Sequence, residues 1–468
     1  MTDTVDTCRT ARAQRKRVDQ GRPPHVSHTT RWPPFDSAHP GATGNLMDFY
    51  DPAAPDLLAR WEKVGAWFEA RADIGLDPYQ RVTTTSIGTR TTGRHRNGTP
   101  FAGINFASQD YLSLSTHPRI IAAASDAAQT MGVHSAGSAA LMGNTALSVE
   151  LENRLAAFTG YKHCTVFPIG WAAGYGAVKT LVRRHDHVII DALAHACLQE
   201  AASDATPNVH RSPHLSNEAV ARRLGRIRAA SPDAGILVVT ESLFSMDSDA
   251  PNIAELQELC DRFDATLLVD CAHDLGALGA TGRGILENQH MIGKVDVLMG
   301  SFSKTFASTG GFVACNSPAF TFGLRCTCGP STFTNAMTPI QAAIILKALE
   351  IVTSTEGTER RNKLMHNVLR LRQSLEASDF TLLGMPSAIV PALLGDGVLS
   401  RLMTRTAFDL GAIVNLVEHP AVARNGARWR LQVMSDHEEK DIDQLCAIAT
   451  EARKISAHYL QPNSDDQL

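Results

Sequence analysis

The 468 residues carry 44 Lys and Arg against 48 Asp and Glu, a formal net charge of -4. That interleaved balance argues against a nucleic-acid or polyanion surface, and the length allows a large core plus a second, smaller domain, so small molecules and other subunits are the expected partners. Nine scattered cysteines offer no metal spacing, Cys326 and Cys328 being a lone C-x-C, and no apolar run is long enough for a membrane span or a signal peptide, so a cytoplasmic protein with buried thiols is expected.

Residues 1–46 are rich in Arg, Thr, His and Pro, include Arg15, Lys16 and Arg17, and show no apolar period, so they read as a disordered basic tail. Met47 opens the first patterned stretch and is a candidate translation start. Leu57, Leu58, Trp61, Val64, Trp67 and Phe68 follow the spacing of an amphipathic helix, so 47–103 reads as an N-terminal helical segment. From 104 onward, short apolar strands at 104–106, 164–167, 188–191, 236–240, 266–270, 297–301 and 312–314 alternate with helical patterns at 118–131, 147–158, 218–230 and 253–263. Such alternation predicts an α/β fold, a mostly parallel sheet covered by helices on both faces, over a large domain at 104–354. A long helix near 356–377 then leads into a smaller α+β domain, 355–468. Its strands are expected near 389–394, 413–416 and 429–433, and its helices near 398–410 and 440–460.

The strongest local signal is Gly300-Ser301-Phe302-Ser303-Lys304-Thr305-Phe306, followed by Gly310 and Gly311. A lysine just past an apolar strand, flanked by hydroxyls and glycines, suits a nucleophilic amine beside a phosphate, kept neutral by burial. Upstream, Leu267-Leu268-Val269-Asp270-Cys271-Ala272-His273 ends a buried strand in a carboxylate. Such a charge is costly unless it meets a cation, and a protonated pyridine nitrogen is one. Ile169-Gly170-Trp171-Ala172 is a strand end passing into a helix start, whose free N–H groups attract a phosphate.

The Asp270-Cys271-Ala272-His273 and Ser301-Phe302-Ser303-Lys304 segments, and the spacing between them, resemble the α-oxoamine synthases, a family that includes serine palmitoyltransferase and 8-amino-7-oxononanoate synthase. The resemblance runs from about 105 to 443. It implies a fold-type I transferase of the aminotransferase class I/II kind, dependent on pyridoxal 5'-phosphate (PLP). The implied reaction is a decarboxylative Claisen-type condensation of an amino acid with an acyl thioester, on coenzyme A or a carrier protein, to an α-amino ketone. By that resemblance Lys304 binds the cofactor aldehyde, Asp270 pairs with the ring nitrogen and His273 contacts the ring oxygen. His195, in Asp191-Ala192-Leu193-Ala194-His195-Ala196, matches the histidine that stacks on the ring. Gly170, Trp171 and Ala172, with Ser301 and Ser303, match the phosphate-binding positions, and Ser245 matches a serine near the ring. Thr334 resembles a residue that reaches the phosphate of a neighbouring subunit, which implies a homodimer with shared sites. Arg430 matches the arginine that grips the substrate carboxylate, with Arg428 the alternate, and one of the two is expected to face solvent.

Two stretches depart from the family pattern. Gln109-Asp110-Tyr111-Leu112-Ser113-Leu114 stands where N-x-Y-L-G-L is usual, which puts Gln109 on the amino-acid side of the site. Residues 132–141, around Ser138, depart from G-x-G-[ST]-R on the acyl side. An aminotransferase and a non-catalytic subunit of a hetero-oligomeric synthase remain as rivals, although the joint presence of Lys304, Asp270, His273 and His195 argues against a silent subunit.

Overall fold

The computed structural model describes residues 32–460, and the chain is packed from the first of them. Trp32 and Ala42 are buried, the Trp32 indole donates to Asp409 at 3.2 Å, and the Arg401 guanidinium donates to the carbonyls of Ala42 and Gly44 at 2.9 and 2.6 Å. The disordered tail expected through residue 46 therefore does not extend over 32–46, and the part over 1–31 lies outside the described residues. The cause is tertiary: besides the Trp67 indole, which donates to the Thr43 carbonyl at 2.9 Å, the groups that hold this strap include Asp409 and Arg401, more than 350 residues away, where no local pattern reports them.

The segment 47–103 is also less helical than its periodicity suggests. It holds the helix Glu62–Asp73, then β1 (Val82–Thr83), β2 (Arg90–Arg94) and β3 (Pro100–Asn105), which pair in antiparallel order. Strand pairing depends on a neighbour more than on intrinsic preference, and here the sheet is completed by a strand from the far end of the chain.

The central sheet contains β4 (His163–Phe167), β5 (His187–Asp191), β6 (Val209–Ser212), β7 (Ile236–Glu241), β8 (Thr266–Asp270), β9 (Val297–Ser301) and β10 (Gly311–Cys315), in the order β4-β10-β9-β8-β7-β5-β6. The β6-β5-β7-β8-β9 pairs are parallel and β10 alone runs against its neighbours, as the expectation of a mostly parallel sheet requires. Its inner strands read as unbroken apolar runs because both faces are covered. Successive side chains point to opposite faces. Ile189, Val238, Val269, Leu298 and Phe312 thus join one core, while Val188, Ile190, Val239, Leu268, Met299 and Val313 join the other. Removing a fully buried ring such as Phe312 costs roughly 3–5 kcal/mol in a core of this kind, so register is strongly specified. Helices fall close to their sequence patterns, Pro118–Met131, Asn217–Ala230 and Ile253–Arg262 among them.

After the long helix Thr355–Glu376, the carboxy-terminal region forms β11 (Ile389–Gly395), the helix Gly397–Asp409, β12 (Ala412–Ile413), β13 (Leu416–Val417), β14 (Ala427–Gln432) and the helix Glu439–Tyr459. β14 is flanked by β11 and β13, whereas β12 pairs in parallel with β3 and so ties the two ends of the chain together.

Candidate active site

Parallel strands deliver the loops at their carboxyl ends to one edge of the sheet. Here β7, β8 and β9 end in Glu241, Asp270 and Ser301, and these residues line a cavity of about 240 Å³. Gly170, Trp171, His195, His273, Ser303 and Lys304 line the same cavity, and Ala172 lies one residue further along the helix that starts at Gly170. Eight of the residues singled out from sequence thus meet in one space, though the chain separates them by up to 134 positions (304 − 170).

The cavity floor is electrostatically unusual. Asp270 is buried, and its carboxylate accepts one hydrogen bond, from the Ala272 N–H at 2.8 Å. Burial raises its pKa, opposed by the charges of Lys304 and His195. Glu241 stands beside it in the sheet register, buried, and accepts the His195 N–H at 2.6 Å. Burial, and then the Asp270 charge, push its pKa well up. Lys304 moves the other way: burial lowers its pKa, only partly offset by Asp270 and Glu241. Among the described residues no salt bridge involves Asp270, Glu241 or Lys304, so two carboxylates and an amine face the cavity without direct ion-pair partners.

Two histidines frame this floor. His273 is buried and its Nδ1 lies 3.0 Å from the Tyr111 hydroxyl. Burial, then the charges of Lys304 and Arg430, hold the His273 pKa well below 6.5, so the ring is neutral. Burial keeps Tyr111 protonated. With Tyr111 donating to Nδ1, the single ring proton is assigned to Nε2. His195 caps the helix Ala196–Ala205, accepting the Cys197 N–H at Nδ1, and its exposed ring stands edge-on to Trp171 with centroids 5.7 Å apart.

The anion-binding corner is built from backbone. The helix Gly170–Leu181 has no side-chain cap, so its first N–H groups are free, and Ser301 and Ser303 share a hydroxyl contact of 2.8 Å at its mouth. A Cβ on Gly170 would lie 2.5 Å from the Ser301 Oγ, so only glycine lets strand and helix approach this closely. A flat ligand with an aldehyde, a basic ring nitrogen and a phosphate would find a partner here for each group.

Other expected residues lie outside the lining. Gln109, Ser138, Ser245 and Thr334 are half-buried and do not line the cavity. Arg428 and Arg430 lie two apart on β14 and therefore on one face, so neither faces open solvent as expected. Arg428 is buried, ion-paired with Asp247 and bonded to the Met246 carbonyl at 3.2 Å. Arg430 touches the Met246 sulfur at 3.8 Å, and its buried Nε has no partner among the described residues. Its positive charge bears on His195, His273 and Lys304. Sequence reasoning assigned no role to Tyr111 or to Glu241. The polar ends of β3's loop and of β7 were their sole signals.

A family model described as aminotransferase class I and II matches residues 102–448. The chain is 36% identical to 8-amino-7-oxononanoate synthase of Salmonella arizonae over 346 residues, 74% of this chain and 88% of that protein. In three dimensions it is similar to serine palmitoyltransferase of Sphingomonas wittichii, with a TM-score of 0.80 and 29% identity over 86% of this chain and 99% of that one. A high-resolution structure of SPT with PLP matches equally well, with a TM-score of 0.80 and 29% identity over 86% and 99%.

Proposed function

Because the chain belongs to the aminotransferase class I and II family, we propose that it is a PLP-dependent α-oxoamine synthase, joining the α-carbon of an amino acid to the acyl carbon of a thioester. The thiol leaves, the carboxylate departs as carbon dioxide, and an α-amino ketone remains. The observation that carries this reading is the unpaired Lys304 and Asp270 facing one cavity with a free helix start opposite.

When bound, PLP supplies an aldehyde that takes up amines and a protonated ring that accepts the electron pair left at the α-carbon. Lys304 Nζ would hold the aldehyde, Asp270 the ring nitrogen, and the Nε2–H of His273 the ring oxygen. His195 would cover the ring face. The N–H groups of Gly170, Trp171 and Ala172 would hold the phosphate together with the hydroxyls of Ser301 and Ser303. Lys304, whose pKa burial lowers, would take the α-proton at Nζ. Arg430, free where Arg428 is engaged, grips the substrate carboxylate as a two-pronged donor. Ser245, Gln109 and Ser138 belong to the surroundings of the site and bear on which amino acid and acyl group fit.

The functional unit is a homodimer. Val133, Leu141, Met142 and Phe333 are exposed by 67, 83, 88 and 90%, apolar side chains on two segments joined where Ser135 Oγ donates to the Ala336 carbonyl and the Ala336 N–H donates to the Gly137 carbonyl, each at 2.8 Å. Exposed apolar side chains of that kind favour a protein partner, and a second copy covering them would bring Thr334 to the neighbouring phosphate. Sedimentation of the purified protein is expected to give a dimer, and Phe333→Asp to shift it towards monomer with loss of activity; a fully active monomer would refute shared sites.

Incubation of the PLP-loaded protein with single amino acids in deuterated water tests the chemistry directly. One amino acid should exchange its α-proton, and its thioester-dependent condensation should follow. Arg430→Ala should raise the KM of that amino acid roughly tenfold to a hundredfold, the loss of hydrogen bonds to a charged group. Amino exchange with a keto acid in place of condensation would identify an aminotransferase instead.

A further inference from the structure

Outside the cavity, one side chain joins three loops at the carboxyl edge of the sheet. His214 lies two residues past β6. Its Nδ1 is 2.9 Å from Asp191 Oδ1, and its Nε2 is 3.1 Å from Asp249 Oδ2. Asp191 ends β5, and its carboxylate also accepts the N–H groups of Leu193 at 2.8 Å and Leu215 at 2.9 Å, while its carbonyl accepts the amide of Gln199 at 2.8 Å. That turn delivers His195. Asp249 closes the loop that begins at Glu241, whose carboxylate holds the His195 N–H. The Phe244 ring stands edge-on to the imidazole at 4.5 Å and seals it from one side.

Both ring nitrogens face carboxylates, and a neutral imidazole has only one N–H to give. Burial works against a charge here, but the hydrogen bonds and charges of Asp191 and Asp249 outweigh it and push the His214 pKa up to about 10. The ring is therefore an imidazolium that donates at both ends across the neutral range. The same cluster brings ligand atoms of His214, Asp247 and Asp249 within 4.8 Å of one another. Arg428 already occupies Asp247, however, and both His214 nitrogens are engaged, so the group is a closed web of ion pairs.

We infer that His214 is a positioning residue for the reaction, a charged clamp that ties the His195 turn to the 241–249 loop and so sets the His195 ring over the cavity. The inference rests on the reading of that cavity as a PLP site. The His195 backbone is then held twice, directly by Glu241 and through Asp191 by His214. Losing the second hold leaves every group in the cavity chemically intact but lets the ring drift, and a misplacement of about 1 Å can cost on the order of a hundredfold in rate.

A double-mutant cycle on the full chain tests this. His214→Ala is expected to lower kcat about tenfold or more with a smaller change in the KM of the amino acid, and to alter the visible circular dichroism of bound PLP. If His214 acts through His195, the His195→Ala/His214→Ala protein should be no slower than His195→Ala alone. In the cofactor-free protein, hydrogen exchange over residues 191–199 should quicken in His214→Ala. Should that variant not fold, Asp249→Asn, which weakens only the outer arm, is carried through the same cycle. Additive losses in the double variant, or unchanged dichroism and kcat in the single ones, would overturn the inference. Dichroism and exchange need no thioester, so a wild-type protein that binds PLP without condensing anything sinks the proposed function and still leaves His214 to be judged.

Discussion

Lys304→Ala is expected to abolish condensation and the visible absorbance of lysine-bound PLP, while the protein stays folded and still takes up the cofactor non-covalently. In the proposed function Lys304 Nζ carries two duties, covalent attachment and α-proton transfer, and the second alone is worth roughly a hundredfold to ten-thousandfold. The fold should survive because the amine makes no salt bridge among the described residues, and Asp270 and Glu241, whose pKa values burial already raises, can take up protons when its charge is removed. The measurement is an absorbance spectrum with borohydride trapping and peptide mapping, beside a turnover assay. Label on a different lysine, or wild-type turnover in the variant, would end the scheme. A pH series on the wild-type apoprotein adds a check. Since burial lowers the Lys304 pKa, the rate of covalent PLP attachment should rise with pH and level off below 10.5, the ordinary lysine value.

The second large effect is expected at Asp270. Asp270→Asn keeps shape and hydrogen-bonding capacity but removes the charge that would hold a ring nitrogen protonated. The loss of kcat should be about a hundredfold to a thousandfold, the scale seen when a preorganised electrostatic partner is deleted. Stability should move differently. A carboxylate whose folded pKa is raised holds its proton more tightly than the unfolded chain does. Its stability contribution is present at low pH and is lost as pH rises past the unfolded value of 3.8. Glu241 acts in the same direction. The stability of the cofactor-free wild type relative to Asp270→Asn should therefore fall as pH rises from acid towards neutral, and Asp270→Asn should not lower Tm at neutral pH. A variant that melts well below wild type at pH 7 and keeps its turnover would show Asp270 to be a structural residue.

Much of this site could be read before any fold was known. Lys304, Asp270, His273 and Gly170 each sit where a buried strand gives way to a turn, and strand ends are legible because apolar runs stop abruptly at a charged residue or glycine. Helix boundaries such as those of Pro118–Met131 came from periodicity and a proline at the first turn. Glu241 was harder. It too ends a strand, but a lone glutamate carries no distinguishing spacing, and its importance lies in the Asp270 beside it and the His195 N–H it accepts. Tyr111 was hidden for the same reason, its hydroxyl meeting His273 across 162 residues of chain.

The amino-acid order alone thus determined the chemistry on offer: which residue types stand at strand ends, in what succession, and hence the parallel sheet and a lysine and an aspartate at neighbouring strand ends. Only the tertiary structure decided how polar groups were shared out. Arg428 and Arg430 are alike in sequence, yet Asp247 engages one and leaves the other's Nε without a partner. Trp32 and Ala42, in a stretch with no apolar period, are buried because Asp409 and Arg401 reach them from the other end of the chain. His214 became a clamp only when three loops closed around it. Local pattern follows from backbone geometry over a few residues, whereas the pairing of buried charges is settled by competition among partners that folding alone brings within reach.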